Sequence, residues 1–592
     1  MLKDLKQTWD LETFFPGGST SPEFAIFLEE LAQDIQSLST QVKAGQCDLV
    51  SWGSLIARLQ DVAKRQRHAS AFVSCLGSQN VKDQYAQIQS GKVKQLAAAY
   101  ASMMTALDKQ LLEMPDAQWQ ELIHSEILAP IAYNLNERRE RAKDLLSPEQ
   151  ETLVNSLSVD GYHGWSDLYN LVSGRLTVPV EENGKLVQLS AGQASNRMSN
   201  PDRTVREQIG AAWEEAWAGI ADHCALALNH LAGYRLNLYA ERGWESVLSE
   251  PCRINRMSMD TLNAMWEAVD SRKDKLVTYL KRKQELLGVD GLTWNDIGAP
   301  LGNSVTKLTY DEAAQFIVEQ FGKFDPEMAK FATKAFEERW IESEDRPGKR
   351  AGGFCTSFPV KQQSRIFVTF SGSMGNLSTL AHELGHGYHQ HIMNDLPPMA
   401  QQYAMNVAET ASTFAEMITF DAALKHAADE QEKLSLIEDK LHRAVGLLMN
   451  IQARFLFETC FYAERREGMV SVKRLNELMT EAQKEAFADT LVEYHPHFWA
   501  SKLHFYNTGV PFYNFPYTFG FLFSAGVYAQ ALEDGPAFRE KYVALLRDTG
   551  RMQVEDLAKK HLGVDLTTPA FWQRSIDFVL SDLDEFLHLT SK

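Results

Sequence analysis

Apolar residues recur at three- and four-residue spacing along most of the chain. The pattern predicts helices over residues 23–45, 55–75, 80–113, 117–145, 204–242, 258–287, 310–340, 429–466 and 470–492. In one of these, Ile437, Leu441, Val445, Leu448, Ile451 and Phe455 form a single stripe, as a helix buried on one face requires. Period-two alternation is rare. Leu176–Val180 and Lys185–Leu189 flank Asn183-Gly184, a strong hairpin signal. Arg365–Phe370 is rich in β-branched and aromatic residues and reads as one more strand. The expectation is a mainly α fold with a small β-sheet. The hairpin near 175–190 and the Asn200-Pro201 turn divide the chain into a helical N-terminal region, 1–200, and a longer region, 201–592, that holds everything chemical.

Composition narrows the class. With 592 residues, 44% of them hydrophobic and 23% charged, the chain can bury a large core. Disorder, a collagen-like repeat and a disulfide-stapled miniprotein are excluded. A net charge of −19 argues against a nucleic-acid or anionic-membrane partner. The six cysteines (Cys47, Cys75, Cys224, Cys252, Cys355 and Cys460) are scattered without a CxxC pair and read as reduced thiols. Asp4, Lys6 and Asp10 interrupt any N-terminal apolar run, so no signal-peptide core is expected. No run of ~18 apolar residues occurs. These features predict a cytoplasmic protein with no membrane partner, and oligomeric state leaves no mark in the sequence.

The strongest chemical signal is His382-Glu383-Leu384-Gly385-His386. Asn376 and Ser378 are capping-type residues, and no proline intervenes until Pro397, so the motif is expected on a helix. Positions i and i+4 then lie one above the other and aim both imidazoles at one point, as a zinc ion requires. Glu383 lies beside the first histidine, placed to reach a water without ligating the metal. A third ligand is needed. Continuation as HExxHxxGxxH fails, because His389 and Ile392 occupy the glycine and histidine positions. His389 and His391 turn away from the shared face and read as solvated or supporting histidines. Glu409 is the better candidate, on a second helix whose small residues Ala408, Ala411 and Ala415 make a carboxylate costly to bury unless it is engaged. Glu416, two turns further on, would orient a ligand histidine. Two histidines and a carboxylate also suit Co²⁺ or Mn²⁺, with Zn²⁺ the best match by ligand type.

HELGHGYH followed by ETASTFAE, together with Val368–Ala381, the aromatic run after residue 504 and the opening Trp9-Asp-Leu…Phe15-Pro-Gly-Gly-Ser-Thr-Ser, resembles the zinc metallopeptidases of the thimet oligopeptidase family, oligoendopeptidase F branch. The resemblance implies His382, His386 and Glu409 as ligands of one Zn²⁺ per chain and Glu383 as the catalytic carboxylate. It implies a large multi-helix metallopeptidase fold, with a small sheet beside the motif helix and a deep channel roofed by the N-terminal region. The activity it implies is hydrolysis of internal bonds in short oligopeptides.

Further candidates cluster in His504–Gly520, dense in aromatics, glycine and proline, which reads as a loop-like wall. His504 matches a family histidine that hydrogen-bonds substrate and oxyanion. Pro511, Phe512, Phe515 and Pro516 break the tyrosine spacing, so Tyr513 and Tyr517 are favoured as catalytic donors and Tyr506 as a substrate contact. Phe370, Gly372 and Ser373, at the end of the expected strand, are candidates for pairing with an extended peptide. A phosphate-binding loop there lacks the GK[ST] ending. The competing function is a metallo-carboxypeptidase or dipeptidase. It needs a cation for the substrate's C-terminus, for which Arg346, Lys349 and Arg350 are candidates.

Overall fold

The computed structural model describes residues 2–45, 48–182, 184–301 and 307–591; Cys47 and Asn183 lie outside them. Helices dominate, and most of the expected ones form. They include Pro22–Ala44, Leu49–Gln79, Gln84–Glu113, Arg203–Glu241, Met259–Leu287 and Val472–Ala486. Two expected helices are broken by proline. Residues 310–340 form Tyr310–Phe324 and Pro326–Glu337, and residues 117–145 divide around a short turn at Ala129–Ile131 that contains Pro130. The helix expected over 429–466 runs as Glu430–Val445, a π-helical segment Gly446–Asn450, and Ile451–Arg465.

There are five strands among the described residues. β1 (Thr177–Glu182) and β2 (Lys185–Ser190) form the expected antiparallel hairpin. β3 (Ile341–Glu342), β4 (Phe354–Phe358) and β5 (Gln363–Phe367) form a second sheet in the order β3-β5-β4, with β3 parallel and β4 antiparallel to β5. The strand expected over Arg365–Phe370 is therefore the centre of its sheet and not an edge.

The chain forms two compact units. One comprises 1–144, 306–423 and 527–563; the other comprises 145–305, 424–526 and 564–592. The units interleave, three stretches of chain in each, where the hairpin pointed to a single cut near residue 200. The physical reason is packing between residues distant in sequence. In the first unit Trp9, Leu11, Phe14 and Phe15 share a buried cluster with Phe72 from the helix Leu49–Gln79, with Phe358 of β4 and with Phe367 of β5. Phe14 stacks on Phe358 with centroids 3.8 Å apart. The opening segment thus forms part of the core beneath the sheet that adjoins the motif helix. The second unit is held by pairs such as Arg206–Asp296 and Lys283–Glu438, all four side chains buried. The five described cysteines are free. No described helix is long and apolar enough to cross a membrane.

Candidate active site

The motif lies on the helix Met374–Met393 in the first unit. Its N-cap is Ser373, whose hydroxyl accepts from the Asn376 N–H in a capping box, so the helix starts slightly earlier than Asn376 implied. His382 and His386 sit one turn apart with ring centroids 4.8 Å apart. Glu409 comes from the helix Met405–Lys425. Gly385, between the two histidines, lets these helices touch: a Cβ there would stand 2.5 Å from the Ala411 carbonyl oxygen and 2.6 Å from Ser412 Cα. The bare backbone at this one position is what brings Glu409 to the histidines.

Glu409 Oε2 lies 3.3 Å from His382 Nε2 and 3.7 Å from His386 Nε2. A tetrahedral ion with ligands at ~2.0–2.1 Å has ligand–ligand edges of roughly 3.3 Å, so the three could hold one metal ion. The surroundings fit that use. His382 Nδ1 hydrogen-bonds Glu416, whose other oxygen accepts from Ser378 Oγ at 3.1 Å. The His386 ring bonds the Ala408 carbonyl. Ser412 Oγ donates to Glu409 Oε2 at 2.7 Å. Burial alone would lower His382, but Glu416 and Glu409 raise it; burial, with His382 adding, lowers His386 to about 4.

Glu383 is buried, and its Oε2 has no hydrogen-bond partner. Burial pushes its carboxyl up to about 7 against the pull of His382. Gly353, just before β4, meets this carboxylate: a Cβ there would stand 3.2 Å from Glu383 Oε1. The sheet edge beside Glu383 is therefore β4, which sequence reasoning missed because five mixed residues behind a glycine pair carry no period-two signal.

Several expectations are corrected. Phe370 is 6% exposed and packs edge-on against Tyr310, so its ring belongs to the core. Gly372 takes φ +93° against the Leu308 backbone, and Ser373 is consumed as the N-cap. His389 is fully buried rather than solvated, stacked on Tyr403 and bonded to the Leu546 carbonyl and Thr549. Arg346 and Lys349 both pair with buried Glu342, which takes up the charge expected for a substrate terminus.

His504, Tyr513 and Tyr517 lie together in the second unit, all half-buried, with His504 5.4 Å from Tyr513 and 6.1 Å from Tyr517 between centroids. Only part of the segment is a loop. Tyr517 stands in the first turn of the helix Phe515–Asp534, where Pro516 is tolerated because early N–H groups have no helical acceptor. Tyr506 is 1% exposed, stacks on Tyr169 and donates to the Trp499 carbonyl. No surface of it is left for a peptide. Phe512, at φ +52°, donates its N–H to buried Glu458, while Arg235 donates to the Asn507 carbonyl and to Tyr162 and Tyr462. These buried groups hold the segment from below.

A mainly helical chain with two histidines one turn apart, a carboxylate on a touching helix and a free buried glutamate between the histidines has the make-up of a metallopeptidase. Comparison with known proteins agrees. Residues 301–578 match the model of peptidase family M3, and residues 110–177 match the model described as oligopeptidase F. The two take in more than half of the chain, and the chain belongs to peptidase family M3. It is 24% identical to group B oligopeptidase PepB of Streptococcus agalactiae, covering 99% of this chain and 98% of that protein. It is 22% identical to oligopeptidase PepF of Bacillus subtilis, covering 99% and 88%. Among solved structures it is similar to oligoendopeptidase-F from Enterococcus faecium, with TM-score 0.71 at 18% identity over 96% of this chain and 98% of that one.

Proposed function

We propose that the protein is a zinc-dependent endopeptidase that hydrolyses internal bonds of short oligopeptides. One observation carries the reading: the His382–His386–Glu409 cluster stands beside a buried glutamate with an unused oxygen. The names of full-length relatives, oligopeptidase and oligoendopeptidase F, support the substrate class.

In this reading His382, His386 and Glu409 hold the zinc, and Glu416 fixes the His382 ring by accepting a hydrogen bond from its Nδ1–H. Zinc, when bound, supplies Lewis acidity that polarises the scissile carbonyl and acidifies water. Glu383 takes a proton from the attacking water and returns it to the leaving nitrogen, work worth roughly 10²–10⁴-fold. The β4 edge, which reaches Glu383 at Gly353, pairs with the backbone of an extended substrate and so tolerates varied side chains. To His504, Tyr513 and Tyr517 we assign hydrogen-bond donation to the substrate. Burial, with Arg454 and Lys502 adding, lowers His504 to about 4, which keeps the ring a neutral donor at pH 7.

The test is a peptide of about ten residues acetylated at its N-terminus and amidated at its C-terminus, with products read by mass spectrometry; the blocked ends leave endopeptidase geometry as the only productive one. Two internal fragments are expected. Cleavage that appears only when the C-terminus is freed would move the reading to a carboxypeptidase.

A further inference from the structure

Arg454 and Lys502 are two cations without counter-charge. Arg454 stands just after the π-helical segment Gly446–Asn450; its Nε donates to Asn450 Oδ1 at 2.9 Å and its Nη1 to Asn514 Oδ1 at 3.0 Å. Lys502 leads into the turn Leu503–Tyr506 that carries His504. Both crowd one ring, Phe498, with Arg454 Cζ 5.2 Å and Lys502 Nζ 4.8 Å from its centroid. Both are half-buried, and among the described residues no carboxylate pairs with either. Several other buried cations do have one, Arg206 with Asp296, Lys283 with Glu438 and Lys349 with Glu342, while Arg235 and Arg365 are met by neutral acceptors.

A second observation points the same way. Asn514 is 1% exposed; its Oδ1 is taken by Arg454 and its Nδ2 has no partner. His504 Nδ1 is buried and unpartnered too. Unsatisfied buried polar groups are rare enough that each calls for a ligand or another cause. What is missing is an acceptor with negative charge.

We propose that Arg454, Lys502, Asn514 and His504 form a binding site for a carboxylate of the peptide substrate, either its C-terminal group or an acidic side chain. This rests on the reading that the segment bearing His504, Tyr513 and Tyr517 meets substrate. A guanidinium offers two parallel donors that match a carboxylate, and an ammonium adds a point charge. Every oligopeptide brings one such group at its end. The unopposed charge is felt by the site itself: burial, with Arg454 adding, lowers Lys502 to about 8, and burial lowers Arg454 to about 10. Such a site would favour short peptides with a free terminus while leaving the cleaved bond internal.

The test uses internally quenched peptides that differ only in a C-terminal acid or amide, and a second pair that differs in one Glu or Gln. Wild type, Arg454→Gln and Lys502→Gln are compared, each checked for folding by circular dichroism. In wild type the ratio of kcat/KM, acid over amide or Glu over Gln, is expected to be roughly tenfold or more, the size of a charge-assisted hydrogen bond. Which pair shows it identifies the source of the carboxylate. In either variant that ratio falls to about one. A wild-type ratio near one in both pairs overturns the proposal, as does a ratio that persists in both variants. Should Arg454→Gln fail to fold, Lys502→Gln decides alone. Failure of the peptidase reading is separate: wild type then cleaves none of the peptides, and calorimetric binding of an acetylated tripeptide acid against its amide still decides the site.

Discussion

His382 can face a metal through Nε2 only while its proton stays on Nδ1, and Glu416 keeps it there by accepting the Nδ1–H hydrogen bond. Glu416 in turn is anchored by Ser378. Replacing Glu416 by alanine frees the ring to turn and to change tautomer. We expect the variant to bind zinc about 10–100-fold more weakly, measured by competition with a chromophoric chelator. Unchanged affinity would mean that His382 is fixed by packing alone. At this scale His382, His386 and Glu409 were legible in the sequence, because helical periodicity converts spacing into direction. Phe370 and Tyr506 were not. Their composition is that of a substrate wall, and only packing against Tyr310 and Tyr169 separates a core aromatic from an exposed one. Arg454 and Lys502 left no signal either, since a cation's lack of a partner is a property of three-dimensional surroundings.

Among the elements, the crossing of the helices Met374–Met393 and Met405–Lys425 makes the cluster, and it depends on Gly385. A methyl group there has no room against the Ala411 carbonyl, and backbone cannot step aside as a flexible side chain can. Gly385→Ala should push the helices apart, at a cost of about 1–3 kcal/mol in stability. Zinc affinity should fall at the same time, because Glu409 moves with its helix. Parallel thermal melts and zinc titrations check this; a stable variant with normal affinity would show that the contact is slack. The periodicity revealed most helices but not where proline interrupts them, at Pro130 and Pro326. β-Branched and aromatic content placed β5, whereas β3 has only two residues and the Phe-Cys-Thr-Ser-Phe run of β4 carries no period of two. The helix Phe515–Asp534 was obscured by Pro516 and Gly520, residues that usually punctuate helices.

For the whole molecule, long-range packing overrides linear order. Residues 1–144 share a unit with the motif, which no composition shift along the chain announces. Stability is likewise set by groups that take no part in the chemistry. In the second unit burial pushes the Glu458 carboxyl from 4.5 up to about 8, although Arg235 and the Phe512 N–H oppose it. Between those values the folded state keeps a proton that the unfolded chain has released, so stability falls as pH rises from about 5 to 8. Glu458→Gln keeps the shape without the titration. Its melting temperature should gain on wild type steadily across that range and level off above it; parallel curves would show that Glu458 is ionised throughout.

The central claim is that Glu383 moves the proton while His382, His386 and Glu409 hold zinc. It is tested most directly by stripping wild type and Glu383→Gln with a chelator, restoring zinc, and measuring cleavage of a doubly blocked quenched peptide. Wild type should recover internal cleavage. The variant should take up zinc with the same affinity and cleave roughly 10²–10⁴-fold more slowly. A zinc-loaded Glu383→Gln enzyme that cleaves at the wild-type rate would contradict the account.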